Sequence, residues 1–339
     1  MMQTIITSPE KENFANHKKI DIHGSFQDAN THIYQLDNKS GIMVREASFD
    51  TGKGGKEIKI LHVTDLHLHA INQRDEQDEN PSVFGSLQHR MAFRNESTLP
   101  NLKRVLGIRN GFDQTIITGD AIDYLTWGSL ELLQNYVWEQ IPDVWVTVGG
   151  HELTRVMEGD IPDPTTLESR YRILKAYWKH DMYYFSKILG GKVMLVQMNN
   201  GESKYHECQY QSFKRDIDIA RREEMILLLF QHEPLCTHNP AEKQVVPLRI
   251  NDGSGCRNFC DCFMGNDESD EVTGRIYRLI TENADVIKGV FCGHRHSDHY
   301  TEIKASGLSS GDRKEMIIPQ YVLTGNMYDN GHIMVITVK

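Results

Sequence analysis

The sequence lacks the features that would place the protein in a membrane, in a disulfide scaffold or on nucleic acid. No apolar run approaches the roughly 20 residues that span a bilayer, and the first residues lack the basic-then-apolar layout of a signal peptide. Six cysteines in 339 residues are too few for a disulfide framework. The net charge of -10, from 37 basic and 47 acidic residues, disfavours binding to nucleic acid and to anionic membranes. We therefore expect a cytoplasmic protein with reduced thiols and no membrane span.

Repetitive and low-complexity tracts are also missing. With 10 prolines and 26 glycines, the chain is neither collagen-like nor wholly disordered, and 39% apolar residues are enough for a substantial core. The length predicts one large domain or two ordinary ones. Residues 1–57 are polar and interrupted by glycine and asparagine, which predicts an N-terminal β-rich extension. Residues 58–339 predict one domain with an insertion, rich in Cys, Asn and Asp, at about 239–270.

Short apolar and β-branched runs recur in the second part of the chain and predict buried strands. They cover residues 58–63, 114–118, 144–148, 192–197, 225–230 and 287–292. Helical patterns lie between several of these runs, over residues 99–108, 130–139, 166–178 and 272–281. Strands that alternate with helices predict a layered α/β domain. The acidic stretch within residues 72–80 predicts a solvated loop.

Aspartates and histidines directly follow five of the predicted strands. The segments are Asp65-Leu66-His67, Gly119-Asp120, Gly149-Gly150-His151-Glu152, His232 and Gly293-His294-Arg295-His296. In an α/β sheet, ligands bind beyond the carboxyl ends of the strands. We therefore expect these five segments to converge on one site.

The residue types in these segments suit metal ions. In an extended segment, residues i and i+2 point the same way, so Asp65 and His67 would present one oxygen and one nitrogen to a single ion. His294 and His296 have the same spacing. The carboxylate of Asp120 has two oxygens that are able to bridge two ions. Mixed ligation by carboxylates and imidazoles suits Mn, Fe, Zn or Ni better than Ca.

The ordered set Asp-x-His, Gly-Asp, Gly-x-His-Glu, a lone His and Gly-His-x-His strongly resembles the calcineurin-like metallophosphoesterase superfamily, from about residue 58 to the C-terminus. The resemblance implies an α/β fold of layered α+β type, a β-sandwich flanked by α-helices, with a dinuclear metal site at the C-terminal edge of the strands. It implies two divalent metal ions with Asp65, His67 and His296 on the first ion, Asp120 as the bridge, and His232 and His294 on the second. His151 would be the catalytic residue that stabilises or protonates the leaving oxygen.

The activity implied by the resemblance is hydrolysis of a phosphomonoester or a phosphodiester by direct attack of a metal-bridging water or hydroxide, without a phosphoenzyme. Two cations about 3.5 to 4 Å apart neutralise the phosphoester, activate the water and align it with the leaving group. The partner would be a phosphoester substrate, and we expect the insertion at about 239–270 to select it. Mono- or diester, small molecule, nucleotide or lipid headgroup, and the oligomeric state stay open at this stage.

One position departs from the family pattern. The family usually has an asparagine before the histidine of its third segment, and the asparagine oxygen ligates the second metal; here the position is Gly150. Three protein ligands and solvent still hold a catalytic metal in other proteins. The glycine leaves open a weaker second site, a changed metal preference or a loss of activity. The main alternative is therefore a non-catalytic metal-binding scaffold that retains the fold, and a nuclease would need a basic groove for which the charge gives no sign.

Residues next to the motifs suggest further roles. Asp123 would orient a metal ligand from behind or cap the following turn, and Glu152 would orient His151 or pack beside it. His69 would contact substrate if its segment stays extended, although loops usually bend at such a point. The cluster of Cys256, Cys260 and Cys262 suggests a zinc site, but no second pair of ligands accompanies it, so free thiols in a loop are the alternative.

Overall fold

The computed structural model describes residues 22–27, 33–37, 41–79, 81–94, 97–155, 165–235, 271–296, 298–309 and 312–339, and the statements below refer to these residues. The predicted insertion at 239–270 and its cysteine cluster lie outside them. The described residues form thirteen strands and seven α-helices. The strands are β1 Ile22–Gln27, β2 Ile33–Asp37, β3 Met43–Phe49, β4 Ile58–Val63, β5 Gln114–Ile117, β6 Trp145–Val146, β7 Tyr184–Leu189, β8 Val193–Met198, β9 Ile226–Phe230, β10 Ile287–Cys292, β11 His299–Ser309, β12 Asp312–Val322 and β13 His332–Val338. The helices are α1 Gln73–Asp78, α2 Pro81–Arg94, α3 Thr98–Ile108, α4 Trp127–Leu132, α5 Leu167–Tyr177, α6 Glu207–Arg222 and α7 Glu271–Thr281.

The strands form two sheets that pack face to face. One sheet has seven strands in the order β1-β2-β3-β13-β4-β5-β6, and the other has six in the order β11-β12-β10-β9-β8-β7. Apolar side chains of both sheets form one cluster between them, which includes Ile60 and Met334 from the first sheet and Leu228 and Phe291 from the second. The predicted β-sandwich is therefore confirmed.

The central strands are apolar on both faces because both faces are covered. Along β9, Ile226 and Leu228 point into the cluster between the sheets, whereas Leu227 and Leu229 point to the outer face and pack with α6 and α7. The outer face of the first sheet packs in the same way against α3, α4 and α5. Side chains alternate along a strand, so a continuous apolar run is needed where helices cover a sheet of the sandwich.

The parallel strands bring their carboxyl ends to one edge of each sheet. In the first sheet β4, β5 and β6 are parallel neighbours, and in the second β8, β9 and β10 are. The two sheets pack so that the loops after these strands meet, and these loops carry the predicted site residues. This topology positions the site.

The N-terminal segment contributes strands to the first sheet. β1, β2 and β3 form its edge, and β3 pairs in parallel with β13, which also pairs antiparallel with β4. The extension is β-rich as expected, and the proposed domain division at residue 57 stays a prediction. Among the described helices, none combines the length and the apolar character needed to cross a bilayer.

One predicted loop is wrong. The acidic stretch forms α1, which begins with Asn72 as its N-cap, and the Asp75 carboxylate closes a capping box. Asp75 is buried and accepts hydrogen bonds from the backbone amides of Trp127 and Gly128 at 2.8 and 3.0 Å. The charge pattern predicted a solvated loop because it could not indicate that a helix N-terminus, that of α4, lies opposite this carboxylate.

Candidate metal centre

The predicted metal residues lie in the loops at the carboxyl ends of β4, β5, β9 and β10, and most have an unusual backbone. The φ angle is positive at Asp65 (50°), His67 (46°), Asp120 (48°), His294 (70°) and His296 (52°). Such left-handed conformations are uncommon for residues with a side chain and cost about 1 to 3 kcal/mol each. They persist only where the surrounding structure fixes them, and they cluster at functional sites.

The positive φ angles contradict the prediction that these segments are extended. The segments containing Asp65 and His67 and containing His294 and His296 are not extended, so alternation does not describe where their side chains point. His296 lies beside Asp65, whereas His294 lies beside His232. His294 and His296 are two residues apart in the sequence, but their side chains therefore lie in different parts of the site.

The first group of potential ligands consists of Asp65, His67, Asp120 and His296, and its ligand atoms lie within 4.8 Å of one another. Asp65 Oδ1 is 3.1 Å from His296 Nε2 and 3.7 Å from His67 Nε2. The two imidazole Nε2 atoms are 3.1 Å apart. Two carboxylates and two ring nitrogens thus point at one small volume.

The second group consists of Asp120, His232 and His294, again with ligand atoms within 4.8 Å. His232 Nε2 is 3.3 Å from His294 Nδ1. Asp120 joins the two groups through one atom, because Asp120 Oδ2 lies 3.8 Å from His67 Nε2 and 3.2 Å from His232 Nε2. Its other oxygen accepts the backbone N–H of His151 at 2.9 Å, which fixes the carboxylate plane.

Two glycines allow these side chains to approach the backbone. A Cβ on Gly149 would lie 2.3 Å from Asp120 Oδ1, and a Cβ on Gly293 would lie 1.8 Å from Thr64 Oγ1 and 2.3 Å from Asp65 Oδ2. No side chain is tolerated at such distances. Glycine is therefore required at both positions by close packing.

Outer hydrogen bonds orient several of the rings. His67 Nδ1 lies 2.7 Å from Asp123 Oδ1, and His232 Nδ1 lies 2.8 Å from the Thr118 carbonyl oxygen. Through the first contact Asp123 would orient His67 if His67 ligates a metal, and this role stays a prediction. A carboxylate or carbonyl on the far ring nitrogen fixes the tautomer and leaves the other nitrogen free to ligate.

His151 lies at the rim of the same site. Its Nδ1 is 2.6 Å from the Asp123 carbonyl oxygen and 3.5 Å from the Asp123 carboxylate, and its ring centroid is 4.5 Å from that of His67. The His151 side chain is 29% exposed, whereas the side chains of His67 and His232 are fully buried. His151 is therefore accessible to a substrate.

Glu152 has a different role from the expected one. Its carboxylate makes no bond to the His151 ring and instead accepts the backbone amides of Gly149, Asp120 and Ile122 at 2.6, 3.0 and 3.0 Å. Burial and the nearby Asp120 carboxylate raise the pKa of Glu152 to about 7. Glu152 thus ties the loop after β5 to the loop after β6.

The two carboxylates that face the imidazoles are buried, and so are most of the imidazoles. Burial opposes the charge of His67, but the carboxylates of Asp123 and Asp65 outweigh it and raise its pKa to about 9. In His232, burial is outweighed by Asp120, which raises the pKa to about 10.

Burial and the neighbouring His232 lower the pKa of His294 to about 3, and burial lowers that of His151. The imidazoles in turn hold the pKa of Asp120 below its usual range, against the effect of burial.

His69 does not face the site. Its ring is buried, with Nε2 3.1 Å from the Leu87 carbonyl oxygen of α2 and Nδ1 3.4 Å from Ser129 Oγ. The possible contact with substrate is therefore wrong, because the segment bends after His67 and leads the chain towards α1.

Two contributors escaped the sequence analysis. Arg90 of α2 contacts the Asp123 carboxylate, and Tyr328 places its hydroxyl 3.2 Å from His296 Nδ1. Neither residue lies in a motif or directly after a predicted strand, so the sequence gives no signal for them.

The donors fit divalent metal ions. Six buried or half-buried oxygen and nitrogen ligands converge, and Asp65 Oδ1 is buried without a well-aligned hydrogen bond from any described residue. Its other oxygen is satisfied by Thr64 Oγ1 at 2.6 Å and by the backbone N–H of His294 at 3.0 Å. A buried carboxylate oxygen that faces two imidazole nitrogens is suited to a cation.

The chain is similar to a known protein family over most of its length. The sequence profile described as calcineurin-like phosphoesterase matches residues 58–298. No curated protein sequence is detectably similar to the chain.

Three solved structures are similar to the chain at low identity. A purple acid phosphatase from yellow lupin seeds is 11% identical with a TM-score of 0.44, and the match covers 90% of this chain and 48% of that one, so the chain spans about half its length. A dimetal phosphatase from Danio rerio is 12% identical with a TM-score of 0.38, over 79% of this chain and 87% of that one. A calcineurin-like phosphoesterase from Bacillus subtilis is 12% identical with a TM-score of 0.28, over 77% and 90%.

The profile match extends over most of the chain and spans all five motif segments, and the structure has the sandwich that the motifs predicted. The chain therefore belongs to the calcineurin-like phosphoesterase family.

Proposed function

We propose that the protein hydrolyses a phosphomonoester or phosphodiester at a dinuclear metal centre, by direct attack of water and without a phosphoenzyme. The observation that carries the proposal is the position of Asp120 Oδ2, which faces His67 on one side and His232 on the other. One oxygen between two sets of imidazoles is the arrangement that a pair of ions needs if they share a ligand.

The proposed ligands follow the two groups of side chains. Asp65, His67, Asp120 and His296 would hold the first ion, and Asp120, His232 and His294 would hold the second. Carboxylate oxygens mixed with imidazole nitrogens favour Mn, Fe, Zn or Ni. When bound, such a pair of ions supplies charge neutralisation for the phosphoester and a lowered pKa for the attacking water.

His151 would act on the leaving group. Its Nδ1 is within hydrogen-bonding distance of the Asp123 carbonyl oxygen, so the ring is held in place while part of its side chain stays exposed. A positioned imidazole that donates a proton to a leaving oxygen typically contributes roughly 100- to 10,000-fold in rate. The backbone N–H of His151 donates to Asp120, so the same residue also fixes the bridging carboxylate.

The second candidate is a metal-binding scaffold without turnover, and one observation favours it. Gly150 offers no side chain to the second position, which leaves three protein ligands there. The nearest described atom to a Cβ built on Gly150 would be the Gly201 carbonyl oxygen, at 3.6 Å, so the structure has room for a side chain that the sequence does not provide.

Turnover of generic substrates separates the two candidates. The full chain, stripped of metal, is assayed with p-nitrophenyl phosphate and bis(p-nitrophenyl) phosphate after addition of Mn²⁺, Ni²⁺, Zn²⁺ or Mg²⁺, with the metal content measured in parallel. We expect hydrolysis of at least one ester with at least one of the transition metals, no burst of nitrophenol and no phosphoryl transfer to added alcohol. Hydrolysis in none of the metals, with fewer than two ions bound per chain, would establish the scaffold.

A further inference from the structure

Helices α1 and α2 form a small buttress beside the metal centre. Along the sequence, they lie between the segment that contains Asp65 and His67 and the helix α3. A separate apolar cluster joins α2 to the loop after β5, and it consists of Ile71, Val83, Leu87 and Tyr124, with Phe84 and Met91 partly buried against it. The side chain of Asp75 adds hydrogen bonds to the first turn of α4. The buttress is therefore fixed to the loop that carries Asp120 and Asp123.

Arg90 extends from this buttress to the back of a proposed metal ligand. Its Nε lies 2.5 Å from Asp123 Oδ2, and its Nη2 lies 3.0 Å from Asp123 Oδ1. The Asp123 side chain is fully buried, and that of Arg90 is 13% exposed. The guanidinium also lies 5.4 Å from the centre of the Tyr124 ring. The two parallel bonds form the bidentate pair that is typical of strong, oriented Arg–carboxylate recognition.

Asp123 connects Arg90 to two functional residues. The same Oδ1 that accepts from Arg90 lies 2.7 Å from His67 Nδ1, and the Asp123 carbonyl oxygen lies 2.6 Å from His151 Nδ1. The χ2 angle of a carboxylate is broad, so its hydrogen-bond partners set the plane of the group. Two bonds to a planar guanidinium fix the carboxylate plane, and the fixed oxygen then fixes the ring of His67.

We propose that Arg90 is a positioning residue of the metal centre, acting through Asp123 on the orientation of His67 towards the first metal position. This inference rests on the ligand assignment of the proposed function. Arg90 acts on metal binding and contacts neither the metal nor the substrate. Partners behind a metal ligand typically change metal affinity by about 10- to 100-fold when they are lost.

The test compares Arg90→Gln and Arg90→Lys with a matched control. Arg221→Gln removes a pair of the same kind far from the site, since Arg221 Nε and Nη2 contact the Asp285 carboxylate at 2.8 and 3.2 Å in the other half of the sandwich. Metal-free full-length protein is titrated with Co²⁺, and the visible absorption of the bound ion is recorded. Steady-state kcat and KM for the aryl ester follow in the activating metal.

We expect Arg90→Gln to weaken the first-bound Co²⁺ by about 10-fold or more, to change its absorption bands and to lower kcat with little change in KM. Arg90→Lys retains the charge without the bidentate geometry. Its Co²⁺ affinity and kcat should lie between those of Arg90→Gln and those of the wild type. Arg221→Gln should match the wild type in affinity, spectrum and kcat. If Arg90→Gln does not fold, the Arg90→Lys affinity and spectrum decide.

Three results would overturn the inference. Wild-type Co²⁺ affinity and an unchanged spectrum in the Arg90 variants would show that Asp123 needs no second partner. A raised KM with normal metal binding would mean that Arg90 contacts the substrate. Equal losses in Arg221→Gln would indicate a general loss of stability. Failure of the proposed function is recognised separately, because the wild type itself would then bind no Co²⁺ or turn over no ester.

Discussion

The two proposed metal positions share Asp120 but differ in how completely the chain surrounds them. The first has two carboxylates and two imidazoles, and both rings have a second partner, Asp123 for His67 and Tyr328 for His296. The second has one carboxylate and two imidazoles, of which His232 has the Thr118 carbonyl oxygen as its second partner, and Gly150, where the family pattern has a fourth ligand, has no side chain. The two positions therefore differ in the side chains around them, although loops of the same β-sandwich form both.

We infer from this comparison that the first position would bind its ion more tightly than the second. A metal site loses affinity when a ligand is missing. Activity that needs two ions would then depend on the metal concentration through the second position alone. Substitutions at the first position, at the second position and at the residue they share should therefore have different effects.

Replacing the shared ligand should have the largest effect. Asp120→Ala removes an oxygen from both positions, so we expect loss of turnover and of both bound ions, measured by ester hydrolysis and by metal analysis of the purified protein. Asp120→Asn, which keeps the acceptor for the His151 backbone amide, controls for local folding. Retention of one tightly bound ion in Asp120→Ala would show that the first position does not depend on the bridge.

Removing His151 should lower the rate and leave both positions intact. We expect His151→Ala to reduce kcat by roughly 100- to 10,000-fold with unchanged metal content, because His151 belongs to neither of the two groups of ligands that contain Asp120. The loss should be smaller for p-nitrophenyl phosphate than for phenyl phosphate, whose leaving oxygen needs the proton more. Metal loss equal to that of Asp120→Ala would assign His151 to the ligands instead.

Restoring a side chain at Gly150 should strengthen the second position alone. The local backbone is right-handed helical, with φ of -65°, and a Cβ meets no described atom closer than 3.6 Å, so Gly150→Asn should fold. We expect the weaker ion to bind about tenfold more tightly, measured by calorimetric titration. Gly150→Ala is the matched control, since it adds a Cβ without an oxygen. Equal affinity in Gly150→Asn and the wild type would mean that another group already occupies this place.

Removing the hydroxyl behind His296 should have the smallest effect. Tyr328 is 40% exposed, so water replaces much of its hydrogen bond to His296 Nδ1. We expect Tyr328→Phe to weaken the tighter ion by about two- to threefold, below the range of buried outer partners. Tyr184→Phe, which removes a hydroxyl bonded to Asp216 on the far side of the second sheet, should leave both affinities unchanged. An effect of Tyr328→Phe on the weaker ion alone would reverse the assignment of His296.

The strands, and the loops at their carboxyl ends that carry the site residues, were predictable from the sequence. β4 and β10 cover the predicted residues, and β9 begins one residue later, because apolar runs covered on both faces are hard to mistake. Since parallel strands present their carboxyl ends at one edge, the residues after them had to meet once the topology was right.

What the sequence could not indicate depends on contacts between distant segments. The left-handed backbone at Asp65 and His294 is imposed by packing around the site, and it decides which histidine reaches which position. Arg90 lies on an amphipathic helix with no motif, and its role appears only through its contact with Asp123. The π-helical turn 133–138 that continues α4, predicted as part of one regular helix, is likewise a feature of tertiary packing.

The most direct test of the two-position account is a calorimetric titration of the metal-free, full-length protein with Mn²⁺, with the bound metal counted at saturation. We predict two ions per chain in two steps, a tighter one that survives gel filtration and a weaker one whose occupancy follows the ester hydrolysis. A single ion at saturation, or two ions of equal affinity with no link between the second ion and the rate, would contradict the account.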